Sequence, residues 1–304
     1  CSRLEGILIP PSVTNIGNYA FEYCSALASI VIPENVRTIG SYAFEQCNSL
    51  TCVEIHGGEL GSSVFYGCDA LEDVYLGPGV SKIASSAFSN CDSLKHVKID
   101  STAELGSSAF YYCDALESAE IRSSAIGSDA FEYCTNLASV VLGPSVCSIG
   151  SSAFSGCTGL TDITIPDSVT SIGRSAFAEC TNLSEFHYPM SWATADENIF
   201  YNCSKLTSIV VPEGVTEIPY SAFSNANYLK TVSLPSTLTT IGSWAFSDCV
   251  LLGNIDFPNA LESVDSSAFY GCTGLTEVTI PEGVTTISAY AFYNCNSLTG
   301  ITIP

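Results

Sequence analysis

Apolar residues recur along this chain in one pattern, Ala-Phe-x-x-Cys-x-x-Leu-x-x-Val/Ile-x-Ile-Pro-x-x-Val-x-x-Ile-Gly, from one end to the other. Its phenylalanines stand at Phe21, Phe44, Phe65, Phe88, Phe110, Phe131, Phe154, Phe177, Phe200, Phe223, Phe246, Phe269 and Phe292, and nine of the twelve intervals between them are 23 residues. A fixed period of this length marks a solenoid, in which each period is one coil touching only its neighbours. Within a coil, Leu160, Ile163 and Ile165 alternate with Asp162 and Thr164, the period-two pattern of a half-buried strand. Pro166 cannot donate to a ladder and closes that strand. Val169 and Ile172 supply a second short extended stretch facing inward. Gly stands four residues before the Phe in eight of thirteen coils, from Gly17 to Gly242, where it answers a positive φ or a close backbone approach. Ser41, Ser62, Ser151 and Ser243 then sit where a helix N-cap would, and Ala-Phe-x-x-Cys predicts about one helical turn with Phe and Cys on one face. The predicted fold is an α/β repeat solenoid. One side is a parallel β-sheet advancing about 4.8 Å per coil, and short extended stretches and single-turn helices form the others.

Three coils are short, with His56-Gly57-Gly58, Asp100-Ser101-Thr102 and Arg122-Ser123-Ser124 in place of the Pro-x-x-Val segment. A fourth keeps its length but loses the pattern from Met190 to Glu197. Irregular curvature or an irregular outer edge is expected at these places. No linker or composition shift interrupts the repeat, so residues 1–304 read as a single solenoid of about thirteen coils. It opens on Cys1-Ser2-Arg3-Leu4 and closes on Ile303-Pro304, both mid-repeat and neither a polar cap. The expectation is a segment cut from a longer protein, with open ends suited to end-to-end self-association.

The repeat as quoted resembles the BspA-like class of leucine-rich repeats, known from surface proteins of host-associated bacteria and some protists. The resemblance covers the whole chain. It implies a right-handed leucine-rich-repeat arc with a concave parallel sheet, placed at the cell surface or secreted, with adhesion to host matrix proteins or other cells as the activity. The departures are the three short coils, the Met190–Glu197 coil, and Ala226 where Cys is expected.

Fifteen cysteines raise the question of disulfides or metal. Thirteen of them, from Cys1 to Cys295, share one repeat position, and Ala226 fills the same slot, which reads as packing by small apolar side chains. Intervals of 23 residues offer no Cys-x-x-Cys pair for zinc, so buried free thiols are expected. Cys52 and Cys147 stand outside the ladder, and Cys52, expected on the concave face, is the candidate reactive thiol. The sequence holds no nucleophile elbow, His-Glu-x-x-His or phosphate loop. His56, His96 and His187 lie in different coils, too far apart to share a metal. No catalytic residue, cofactor or metal site is expected.

The formal charge of −22 repels phosphate backbones, so nucleic acid is not an expected partner, and no run is long enough to span a membrane. A protein ligand remains, and the sheet face is where a solenoid binds one. Its outward positions are bland in most coils but not in three adjacent ones, which present Glu72, Asp73 and Tyr75, then Lys95, His96 and Lys98, then Glu117, Ser118 and Glu120. Either this is a polar patch that docks a protein, or Glu72, Lys95 and Glu117 neutralise one another across strands. A stripe of tyrosines beside the Phe anchors (Tyr23, Tyr66, Tyr111, Tyr112, Tyr133, Tyr201, Tyr270, Tyr293) is a second candidate surface, or a shield over the core. The leading reading is a non-enzymatic protein-binding module, an adhesin for host extracellular-matrix or other-cell proteins. A structural spacer that displays other domains is the alternative, and a carrier for a catalytic domain is the third.

Overall fold

The computed structural model describes residues 1–303, a parallel β-solenoid of stacked coils in two compact units that divide after Leu160. In the first unit six strands lie side by side in chain order: Ser29–Ile32, Cys52–Leu60, Asp73–Ile83, His96–Ile99, Ser118–Ile121 and Ser139–Leu142. We call this the front sheet. Alternation dictates its two faces: Ile55, Leu76, Ile99 and Ile121 are in register and buried, while Glu54, Tyr75, Lys98 and Glu120 are in register on the other side.

The short coils are not frayed. The strand from Cys52 runs unbroken to Leu60, beside Asp73–Ile83, and Gly58, at φ 96°, lies at a register shift of the ladder. Ser101 and Ser123 turn inward, both fully buried, and Ser101 Oγ donates to the Val80 carbonyl at 2.6 Å. The shorter path brings a carbonyl within reach of Ser101 Oγ, whereas the buried Ser123 Oγ has no partner.

The third side corrects the sequence reading. No helix occurs among the described residues; Ala-Phe-x-x-Cys is a string of tight turns. The residues two before and two after each Phe lie in the left-handed region in all thirteen coils, as at Tyr19 (φ 58°) and Tyr23 (φ 54°). An α-helix tolerates neither. Hydrogen bonding explains the choice. Ala20, Glu22 and Cys24 N–H groups close turns onto Gly17, Tyr19 and Phe21, while Tyr19, Phe21 and Tyr23 donate to Ser41, Ala43 and Glu45 of the next coil. A helix would spend all six bonds internally. The turns use three of them as a ladder between coils. Two left-handed residues cost about 1–2 kcal/mol each, against three ladder bonds at about 1 kcal/mol each and a buried Phe worth about 1.5–3. The serines predicted as caps belong to this ladder too: Ser41 Oγ accepts from Ser62 N–H at 3.2 Å.

Inside, the Phe rings of the first unit stack in near-parallel pairs with centroids 5.1 Å apart from Phe21 to Phe88, which matches the strand spacing. From Cys47 on, ladder thiols donate to the Phe carbonyl of the coil before, as from Cys47 to Phe21 at 3.3 Å and Cys68 to Phe44 at 3.2 Å. The Phe21 carbonyl already accepts the Cys24 N–H, so the Cys47 thiol occupies its second lone pair. The glycine that recurs four residues before the Phe is there for close approach and not for φ. A Cβ on Gly127 would sit 2.5 Å from the Leu105 carbonyl oxygen of the coil before.

In the second unit the front strands pair only two by two: Asp162–Thr164 with Glu185–His187, Ser208–Val210 with Thr231–Ser233, and Glu277–Thr279 with Gly300–Thr302. Each interruption falls at an aromatic, Tyr188 or Phe257, in the strand's last inward slot, where the first unit has only Ile and Leu. A ring there needs room that an aliphatic ladder does not leave. Beside Phe257, Asn254 Oδ1 replaces the missing backbone carbonyl and accepts from the N–H groups of Thr276 and Glu277, both at 3.1 Å. The patternless Met190–Glu197 coil keeps its strand Thr194–Ala195, and Tyr188 and Trp192 are buried, so its irregularity is a larger core and not a ragged edge.

Candidate functional site

Of the eight side chains expected at the site, Asp73, Tyr75, His96, Lys98 and Glu120 stand on the front sheet of the first unit, and Glu72, Lys95 and Glu117 stand immediately before its strands. Asp73, His96 and Ser118 are in register, as are Tyr75, Lys98 and Glu120. Glu72, Lys95 and Glu117 precede these strands and are tied by backbone bonds from Lys95 N–H to Glu72 and from Glu117 N–H to Lys95. The buried Val74, Val97 and Ala119 anchor the three rungs from below. A groove of about 410 Å³ runs over Cys52, Glu54, Asp73, Tyr75, His96, Lys98, Ser118 and Glu120.

The cations of the patch are already engaged. Lys95 Nζ donates to Glu72 Oε2 at 2.9 Å, and this bond, with Glu72's charge and then those of Glu117 and Asp73, raises the lysine's pKa. Lys98 Nζ lies 3.8 Å from Asp100, and Arg122 Nε lies 3.5 Å from the same carboxylate. His96 Nδ1 shares a hydrogen bond with Ser118 Oγ at 3.0 Å. His56 stands 3.6 Å from Glu54 and edge-on to the Tyr75 ring, with centroids 5.8 Å apart. The Tyr75 phenol is pushed up by desolvation first and by the Asp100 carboxylate next. The arrangement is a sheet of alternating charge with an aromatic at its centre, suited to hydrogen-bonded docking.

Glu54, His56, Asp100 and Arg122 belong to the patch but escaped the sequence reading. Aligning coils by register would have found Glu54, which pairs with Tyr75. Asp100 and Arg122 open two short-coil substitutions and are brought to the patch by the corner those coils make. Cys52 lines the groove as expected, but burial first, then Glu54 and Asp73, raise its pKa, which lowers rather than enhances its reactivity.

The tyrosine stripe forms separate clusters. Tyr111, Tyr112 and Tyr133 touch in the first unit, with Tyr111–Tyr112 centroids 4.6 Å apart and Tyr112–Tyr133 4.9 Å. Trp244, Tyr270 and Tyr293 form a second group at 5.5 and 5.4 Å. Among the described residues no cluster of three His, Cys, Asp or Glu is placed to hold a metal ion, and no helix is long and apolar enough to cross a membrane.

Coils of this construction, with a Phe stack, a thiol ladder and a front sheet, define a leucine-rich-repeat solenoid. The model of the BspA type leucine rich repeat region matches residues 1–117, 103–228 and 193–304, and the chain belongs to that family. A leucine-rich repeat protein from Bacteroides ovatus is 29% identical over 98% of this chain and 86% of its own, with a TM-score of 0.71. A leucine rich cell surface protein from Faecalibacterium prausnitzii is 30% identical over 98% of this chain and 87% of its own, with a TM-score of 0.46. A leucine-rich repeat protein from Eubacterium ventriosum is 22% identical over 99% and 83%, with a TM-score of 0.55. Comparison with functionally curated proteins finds no match.

Proposed function

We propose that this chain is a non-enzymatic protein-binding module of a cell-surface or secreted protein, acting in adhesion to host extracellular-matrix or other-cell proteins. The observation that carries this reading is the Lys95–His96–Lys98 rung, set between two carboxylate rungs on an uninterrupted six-stranded sheet. A rigid sheet presents these groups with little ordering cost, which favours binding by a surface that lacks a deep pocket. Membership of a leucine-rich-repeat family agrees with a binding role.

A specific observation favours the second reading, a structural spacer that displays other domains. Lys95 is bonded to Glu72 and Lys98 faces Asp100, so the patch can be a self-neutralising ladder. The test is binding of the chain to immobilised matrix proteins, fibronectin and fibrinogen among them, beside a variant with Lys95, His96 and Lys98 all changed to Ser. Saturable binding lost in the variant is the expected result. Binding retained by the variant moves the site off this rung, and no binding to any panel member leaves the spacer reading in its place.

A further inference from the structure

Within the second unit, one boundary between coils differs from the others on every side. Elsewhere adjacent coils are laced on the turn side, as by Phe177 N–H to Ile199 and Phe223 N–H to Ala245, at 3.0 and 2.8 Å. They are laced on the front, as by Lys230 and Thr231 N–H to Thr207, and on the second-strand side, as by Thr239 N–H to Thr216. Between the coil that ends at Cys203 and the coil that follows, all three ladders stop. Among the described residues, no backbone bond runs from Phe200 or Asn202 to the next coil's turns, or from Thr207 or Ser208 back to Ser184. The strands Thr194–Ala195 and Glu217–Ile218 are not paired with each other. Two side-chain bonds span the gap, Asn225 Nδ2 to Asn198 Oδ1 at 2.8 Å and Ser204 Oγ to the Thr181 carbonyl at 3.1 Å.

The cause lies in the core. Phe186, Tyr188, Trp192 and Ile199 fill slots that hold Ile, Ile, Val and Ala one coil earlier. The rings of Tyr188 and Trp192 lean onto Phe223 of the following coil, at 6.3 and 5.9 Å, and Phe200 stands 6.0 Å from both Phe177 and Phe223, where Phe223 and Phe246 stand at 5.2 Å. What this boundary adds to the wide Phe spacing is the pair of rings, Tyr188 and Trp192, wedged against the next coil, and their extra volume holds the backbones apart. Two buried polar atoms without a partner border the gap: Tyr188 Oη in the coil before it and Ser221 Oγ in the coil after it.

We propose that this boundary is a built-in seam, at which the second unit opens before it unfolds elsewhere. In a solenoid, cohesion is a sum over neighbouring interfaces, and an interface held by ring contacts and two side-chain bonds, with no backbone ladder, is the weakest term. Opening it leaves the coils on either side internally intact, because each retains its ladder to its other neighbour. A chain carrying load along its axis would yield at this point reversibly.

Native-state hydrogen exchange on the full chain tests this, read at Asn202, Thr207 and Ser208 against the equivalent amides of the next coil, Asn225, Lys230 and Thr231. The seam amides should exchange at least about tenfold faster, the factor for a difference near 1.4 kcal/mol. Restoring the repeat's own residues, with Tyr188→Ile, Trp192→Val and Ile199→Ala together, should bring their protection to that of the next coil. Equal protection of the two sets in the unaltered protein overturns the seam. Unchanged exchange in a folded triple variant overturns the core-packing cause. Should the triple variant fail to fold, the comparison within the unaltered protein still decides.

Discussion

A ladder cysteine here is held by three things at once: full burial, van der Waals contact within the stack, and a thiol proton aimed at a carbonyl. Burial is the first cause that pushes Cys47 and Cys203 up to about 12 from an ordinary 9.0. The folded chain therefore retains protons that the unfolded chain loses. Their contribution to stability is full below the unfolded thiol's pKa and is lost as pH rises from about 8.5 towards about 12. Denaturant midpoints at about pH 7, 9 and 10.5 should fall in that order, and a midpoint that stays level to about pH 10.5 would contradict the buried ladder. Accessibility separates the thiols further. Cys1 and Cys147 are exposed, Cys52 is half-buried, and the other twelve of the fifteen are buried. A thiol reagent at neutral pH should show a fast phase of two groups and a slower third, with the remainder reacting only after denaturation. Fewer than fifteen reactive thiols in denaturant without reductant would reveal a disulfide that this geometry lacks.

At the scale of the element, the turn string decides the character of the coil. Asn202 sits at φ 58°, in a slot that Asn, Gly and Asp fill in eight of the thirteen coils. These are the residues that adopt the left-handed region at least cost. Asn202→Val should destabilise by about 1–2 kcal/mol, whereas Asn202→Gly should stay within about 0.5 kcal/mol. Thermal denaturation of the two variants measures this. Equal losses would mean that the side chain of Asn202 matters and its backbone conformation does not. The preference was visible in the sequence at this position, although a Phe and a Cys three residues apart suit a helix equally well. Only the second left-handed position, two before the Phe, makes a helix untenable, and Tyr, Ser and Trp there carry no such signal.

For the whole molecule, charge sets the class of partner. With 31 acidic residues against nine Lys and Arg, long-range steering favours basic proteins and opposes polyanions. The chain should pass through a heparin column at low salt and bind an anion exchanger. Retention on heparin would bring nucleic acid and glycosaminoglycans back as partners. The lysines of the front sheet do not change this expectation, because Glu72 and Asp100 already answer them at 2.9 and 3.8 Å.

The period, the strand with its inward Leu and Ile, and the burial of Phe and Cys could be read from the sequence, because each depends on local alternation repeated many times over. The three rungs of the candidate patch were legible for the same reason, since register between coils follows from the period itself. Other features depended on what lies one coil away. Carbonyls of the next coil draw Tyr19, Phe21 and Tyr23 out of a helix, and the corner after Ile99 brings Asp100 to Lys98 and Arg122. The aromatics at Tyr188 and Phe257 were visible, yet their effect on the front ladder was not. Whether a large side chain is absorbed or forces coils apart depends on the volume its neighbours leave, and only the packed tertiary structure sets that volume.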